Sequence, residues 1–370
     1  MESQKKELLA SLRCNLDRRL SLTTAMTELE AKARRCYSTK LNHIHSDTFR
    51  KMMLTDAFFI IHTFLSFDHW CNHPDDEELQ RQPILTTPWR QANICEDLLM
   101  LENQVPFFIL VKVYAILTNN ESNEESENCL KKLAMQFFEQ VELGRSGGDD
   151  SEKVAENPKH LLDLFHSSFV VAVLPPVPIM KTNYWVRSAS ALSSNGVSFK
   201  GTNKGNPLDI NFNYYIGRLT VPTLCINDRT VPVLKNLLAY EQVSLLPNPN
   251  FTCLAIFFSN IAPNADDIKL LRETDIINHQ PADDGAVVLL LQQLYKASQN
   301  GFSACLIKHH LQLIDRYLIS YQAKIDGVPL QHVISLREAN PLTYQDQSRH
   351  PERIAWYAAG GIRSPSGSFG

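Results

Sequence analysis

Glu96-Asp97-Leu98-Leu99-Met100-Leu101-Glu102-Asn103-Gln104-Val105-Pro106-Phe107-Phe108-Ile109-Leu110 is the stretch on which the reading of this chain turns. An apolar helical pattern begins at about Gln91, and Pro106 interrupts it: proline has no amide hydrogen, and its ring crowds the preceding turn. The stretch therefore predicts two helices, one ending near Asn103 and the next opening with Pro106 in its first turn, where the absent N–H costs nothing. The second helix carries Phe107, Phe108, Leu110, Val111, Tyr114 and Leu117 toward a core. A junction at Glu102 to Phe107 that organises the core is the architectural expectation.

Toward the N-terminus, Glu7 to Cys36 places Leu8, Leu9, Leu12, Leu16 and Leu20 on one face, continued by Met26, Leu29 and Ala33. That is the helical period. Lys6, Arg13, Arg18, Lys32 and Arg35 make the opposite face basic, which reads as an ordinary solvated surface. Ser46 is placed to cap a second helix through about Ser66. Asp56 lies inside its apolar face, where a carboxylate needs a partner.

Beyond the junction, Asn119 to Asn128 is acidic and reads as a solvated loop, followed by a helix from Cys129 to Leu143 and a polar stretch from Gly144 to Pro158. A helix follows from about Lys159 to Val173. Pro175-Pro176-Val177-Pro178 is stiff and extended, the best candidate boundary. The period then changes. Leu208, Ile210 and Phe212 alternate with Asp209, Asn211 and Asn213, which is the strand signature. With Val197 to Lys200, Leu219, Val221, Leu224 and Ile226, these residues suggest a small antiparallel sheet. Helices return from about Val231, with helical patterns at Ile268 to Ile277, Gly285 to Tyr295 and Ala304 to Tyr321.

The composition excludes several classes. Of 370 residues, 44% are hydrophobic and 21% charged, near globular averages, so wholesale disorder and collagen-like or coiled-coil architectures are ruled out. A net charge of −4 with no clustered basic patch argues against a nucleic-acid partner. Eight cysteines scattered from Cys14 to Cys305 behind a charged N-terminus read as reduced thiols. On that reading the sequons at Asn120 and Asn250 carry no glycan. Phe251 to Ala262 is apolar but too short for a membrane span and fits a buried core segment.

Local catalytic signatures are weak. Gly144-Arg145-Ser146-Gly147-Gly148 matches the nucleophile-elbow pattern but follows a helix, not a strand, and opens into acidic residues. His62, His69, Cys71 and His73 have zinc-ligand chemistry without the paired spacing a structural zinc requires. His43, His45, His309 and His310 are weaker still. P-loop, dinucleotide, zinc-protease and kinase motifs are absent from the sequence.

Several segments together resemble the plant-specific family carrying domain of unknown function 247. They are Lys32 to Tyr37, Met52 to Ile60, Glu96 to Leu110, His160 to Leu164, Asn195 to Lys200, Leu208 to Phe212 and Leu234 to Gln242, in order across Glu28 to Tyr321. The Glu102-Asn103-Gln104-Val105-Pro106-Phe107 core is the most specific. The resemblance implies no established activity. Its signature residues are Glu102, Asn103, Gln104, Pro106 and Phe107; the first three fall where a helix ends just before Pro106, and their side chains are placed to satisfy backbone groups orphaned there. Some members look like specificity determinants at self-incompatibility loci of grasses, which implies recognition, not turnover. Members usually carry a Gly-Pro-Tyr-His-His type segment at the N-terminus and a membrane helix at the C-terminus; neither is seen here, which suggests a truncated gene product, a divergent copy or an imperfect gene model.

The expectations are these. The fold is α+β, predominantly α-helical with a small antiparallel sheet of two or three strands. One family domain spans 1–338, with a helical part at 1–174 and the sheet with further helices at 184–330, before a disordered tail at 339–370. The chain is a non-catalytic recognition or interaction module with a protein partner, without catalytic, cofactor or metal residues, and cytoplasmic. The alternatives are an enzyme whose site is assembled from distant residues such as Asp56, His62 and Cys95, a non-functional truncated copy, and peripheral attachment to a membrane through the basic helix.

Overall fold

The computed structural model describes residues 16–37, 41–76, 87–120, 122–141, 143, 157–169, 187–203, 205–244, 246, 249–280, 283–297 and 308–326. The nucleophile-elbow match, the proline-rich stretch and the tail lie outside these residues.

Proline at 106 does separate two helices. α1 (Leu16–Arg35), α2 (Ser46–Asn72), α3 (Pro88–Leu98), α4 (Phe107–Thr118) and α5 (Asn123–Phe138) make the first helical group. α4 packs against α1, α2 and α5. Its apolar sequence explains the position, since a helix apolar on nearly all sides is stable only when buried. Two expectations are corrected here. The acidic stretch after Asn119 is not all loop: Ser122 Oγ accepts the amide of Glu125 at 3.2 Å, and Glu124 and Glu125 fill the first turn of α5. Carboxylates at a helix N-terminus are favoured by its dipole. Leu20 does not join the buried face of α1; it is 68% exposed, and the face is set by Leu22, Ala25, Met26 and Ala33.

α6 (Leu161–Ser167) links this group to a second one, α8 (Thr230–Ser244), α9 (Asn250–Ile261), α10 (Ala265–Glu273) and α11 (Asp284–Ala297). Aromatic rings make the link continuous. Phe67 meets Phe137 at 5.1 Å, Phe137 meets Phe138 at 6.0 Å, Phe138 meets Phe165 at 5.5 Å, Phe165 meets Phe169 at 5.0 Å, and Phe169 meets Phe251 at 5.3 Å. Edge-to-face pairs of this kind each add about 0.5–1.5 kcal/mol beyond burial. Buried apolar residues from Leu22 to Leu318 form one contiguous cluster. α9 is the buried core segment expected from Phe251 onward. Among the described residues no helix is long and apolar enough to cross a membrane.

Between the helical groups come α7 (Ala189–Ser194), β1 (Ser198–Thr202), β2 (Asn211–Asn213), β3 (Arg218–Pro222) and β4 (Leu224–Ile226); β5 (Ile277–His279) follows α10. The helical α+β class stands, but the sheet is mixed, not antiparallel throughout. β2 pairs antiparallel to β3, while β1 pairs parallel to β3 from Ser198↔Arg218 to Thr202↔Pro222. β4 pairs parallel to β5, a strand not foreseen because the apolar run at Ile268 to Ile277 reads as one helix. α10 ends at Glu273, and Asp275 with φ +60° turns the chain into β5. α12 (Lys308–Asp326) closes the sheet, with Tyr317 Oη donating to the Gly196 carbonyl at 3.1 Å and the rings of Tyr317 and Tyr321 stacked.

Candidate functional site

The signature residues sit in the turn from α3 to α4. A helix leaves its last carbonyls without intrahelical donors. α3 ends at Leu98, five residues before the expected point, and the turn supplies what its end lacks. Asn103 Nδ2 donates to the Asp97 carbonyl at 3.0 Å. Gln104 Nε2 donates to the carbonyls of Leu98 at 2.8 Å and Met100 at 2.7 Å. The Gln104 amide also faces the other way, its Oε1 accepting the Leu162 amide in the first turn of α6 at 3.1 Å. One side chain thus closes the end of α3 and the start of α6. Tyr37 Oη donates to the Gln104 carbonyl at 3.1 Å, and the Leu101 amide donates to Asn236 Oδ1 at 2.9 Å. Pro106 is the N-cap of α4, and the Phe107 amide donates to the Lys159 carbonyl at 2.8 Å. Phe107 is buried. Glu102 is exposed.

The network continues from α6 into α8 and α9. Tyr240 Oη donates to Asp163 Oδ1 at 2.6 Å, and Asp163 Oδ2 accepts the Lys159 amide at 2.7 Å. His160 caps α6 through Nδ1, which accepts the Asp163 amide at 3.1 Å. His166 Nε2 lies 2.8 Å from Glu241 Oε1. The same carboxylate accepts the amides of Phe251 at 2.9 Å and Thr252 at 2.8 Å, in the first turn of α9. Both side chains are buried, at 7% and 0% exposure. A buried carboxylate is tolerable there because two backbone donors, a helix N-terminus and an imidazole all face it. Burial, then the Asp163 carboxylate, pushes the Tyr240 hydroxyl pKa up.

Both halves of this network, His160 to Leu164 and Leu234 to Gln242, lie in segments that carry the resemblance, and no local pattern joins them. A lone glutamate in the apolar α8 pattern was the available signal, the same signal that drew attention to Asp56. The signature turn, Tyr37, His160, Asp163 and Glu241 all come from segments that carry the resemblance; hydrogen bonds tie Tyr37 to the turn and the turn to α6, while the His166–Glu241 pair joins Tyr240 through a ring contact at 5.5 Å.

The residues proposed for a distant active site are not joined in this way. Asp56 and His62 are six residues apart on α2, roughly 120° around the helix. His62 pairs with Ser66 Oγ at 3.3 Å, and burial lowers its pKa. Cys95, on α3, is 2% exposed, and burial pushes its thiol pKa up, away from the reactive thiolate. The His69 and His73 rings lie 4.4 Å apart, tilted by 31°, and His69 pairs with Asp76, but no group of three ligands able to hold a metal occurs among the described residues.

A family model described as a plant protein of unknown function, DUF247, matches residues 1–327. The chain belongs to this DUF247 family. UPF0481 protein At3g47200 of Arabidopsis thaliana is 27% identical over 281 residues, covering 70% of this chain and 56% of that protein. The putative UPF0481 protein At3g02645 of Arabidopsis thaliana is 32% identical over 92 residues, 25% of this chain and 17% of that protein. This DUF247 chain therefore spans little more than half the length of the first relative and a smaller part of the second. No solved structure matches it.

Two predictions arise from the site. Phe107→Ala should cost about 3–5 kcal/mol, as other large-to-small core changes do; chemical denaturation measures it, and an unchanged midpoint would make the signature an exposed surface instead. The second concerns pH. Burial lowers the His160 pKa from 6.5 to about 4. Its N-cap bond needs an unprotonated Nδ1. A folded pKa below the unfolded value means that the unfolded chain binds the proton first. This contribution is present in full above pH 6.5 and is lost as pH falls to about 4, on the order of 3 kcal/mol. His160→Asn, which retains a cap acceptor, should remove this part of the acid sensitivity in urea titrations at stepped pH.

Proposed function

We propose that this DUF247 chain is a non-catalytic recognition or interaction module acting on a protein partner, built as one family domain over 1–338. The observation that carries the reading is where the polar side chains of the signature go. Asn103 and Gln104 spend their amides on helix ends, and Asp163 and Glu241 spend their carboxylates on backbone amides, a tyrosine and a histidine. Groups so committed specify a fold and are not poised toward a substrate. The contiguous core supports the single domain. A role in reproductive or signalling specificity follows only from the family resemblance.

The rival enzyme reading finds its best support in the His166–Glu241 pair, since an imidazole held by a carboxylate is a common catalytic element. Both groups are closed to solvent, and Glu241 also holds two backbone amides, which favours a structural role. Profiling the folded chain with serine- and cysteine-directed activity probes tests the reading. The expected result is no stoichiometric labelling; labelling of one residue that heat denaturation abolishes would overturn it.

A cytoplasmic location is part of the same proposal, and the six described cysteines, all free thiols, support it. The basic face of α1 offers weaker peripheral attachment than its sequence suggests. Of that face, Lys32 sits 4.0 Å over the Phe108 ring, which draws its charge toward the protein. Fractionation of plant cells expressing the tagged chain should leave it in the soluble fraction; a pellet resistant to salt and carbonate would contradict this.

A further inference from the structure

Where β3 bends into β4, the structure gathers oxygens around one hydroxyl. Thr223 Oγ1 lies 2.6 Å from the Asp275 carbonyl, 3.0 Å from Asn203 Oδ1 and 3.3 Å from the Thr202 carbonyl. A threonine hydroxyl carries one proton and can donate to only one of these acceptors. The Thr202 carbonyl also receives the Thr223 amide at 2.9 Å. Asp275 and Asn203 are left to share a single proton between two oxygens. Four oxygens from three separate segments thus converge, and apart from the Thr223 amide proton on the Thr202 carbonyl only one hydrogen lies among them.

We propose that this cluster binds a hard cation, with the Thr202 and Asp275 carbonyls, Asn203 Oδ1 and Thr223 Oγ1 as ligands. Oxygen-only sets of carbonyl, amide and hydroxyl groups are what calcium and the alkali ions take. The positions are held from outside the cluster. The Gly201 amide donates to the Thr274 carbonyl at 2.7 Å, and the parallel register sets Thr202 opposite Pro222. Asn203 and Asp275 are exposed, so an ion has a route in. The four ligands are neutral, and the one nearby carboxylate they bring belongs to Asp275. So little charge implies weak binding, with a Kd of about 0.1–1 mM for calcium by analogy with low-charge sites. Magnesium, which demands a compact octahedron and gives up water reluctantly, should be refused.

Thermal unfolding of the full chain in calcium, potassium, magnesium and choline chlorides at matched ionic strength tests the proposal and separates the ions. At a hundredfold excess over Kd the melting temperature should rise by about 3–4 °C in calcium or in potassium, and not in magnesium or choline. Thr223→Val and Asn203→Ala should abolish the rise; Asn203 is exposed, so its variant serves even if Thr223→Val folds poorly. Asn203→Asp adds a charged ligand and should tighten calcium several-fold. Equal shifts in all four salts, no shift in any, or a shift that survives Asn203→Ala would overturn the proposal. So would an Asn203→Asp variant that loses stability and gains no calcium response, because Asn203 would then be donating to Thr223 through its amide nitrogen and no ion would be needed.

Discussion

Gly201→Ala is expected to abolish stable folding, at a cost beyond about 5 kcal/mol, a range that only a specific steric or buried polar fault reaches. A methyl group at this position would fall inside the Asp275 carbonyl. That carbonyl is backbone, and it cannot step aside: the neighbouring Thr274 carbonyl accepts the Gly201 amide, and Thr223 Oγ1 donates to the Asp275 oxygen itself. Thermal melts followed by circular dichroism on purified variant, or its appearance in inclusion bodies, would measure the loss. Gly217→Ala supplies the contrast. There the added carbon would meet the hydroxyl of Tyr317, a side chain on α12, in addition to the strain of a positive φ of +61°. Truncation to Tyr317→Leu in the same chain should therefore recover part of the stability lost at Gly217, whereas no single side-chain truncation should rescue Gly201→Ala. A stable Gly201→Ala protein would mean that β1 and the α10–β5 turn do not approach as described.

Glu241→Leu is the second large effect, expected at about 5 kcal/mol. The substitution leaves three buried groups without their partner, His166 Nε2 and the amides of Phe251 and Thr252, each at about 1–3 kcal/mol where no water replaces the carboxylate. Partial relaxation of the first turn of α9 keeps the total below the sum. Glu241→Gln should be milder, because an amide oxygen in the Oε1 position still accepts the Phe251 amide and faces His166, and only the Thr252 amide meets the NH₂. Equilibrium urea unfolding of the three proteins orders them: wild type, then Gln, then Leu. A Leu variant as stable as the wild type would show that the carboxylate is dispensable, as some buried ion pairs are when replaced by well-packed apolar groups.

These two sites differ in how far sequence announces them. Helices at Phe107 and Asp284 follow from short-range information: the 3.6-residue apolar period and a proline that removes one donor. The junction at Pro106 was legible for that reason, and so was the burial of Phe107. Structure departs from the local pattern where that pattern has two physical readings. Glu124 and Glu125 serve a solvated loop or a helix start equally well, and Leu20 follows the period of α1 but finds no neighbour to cover it.

Long-range geometry carries no such local mark. An alternating pattern at Leu208 to Phe212 and at Leu219 and Val221 declares strands but not their direction, because a strand's apolar face is the same whichever way its neighbour runs. Direction is decided by the path of the chain, which here inserts β3 between β1 and β2 and makes one pairing parallel and the other antiparallel. Likewise Glu241 and His166 are 75 residues apart, and Thr223 and Asp275 are 52 apart. Each is an unremarkable polar residue in its own segment. Only packing, by withdrawing them from water, obliges them to find one another, since a buried polar group without a partner costs more than the bond it makes.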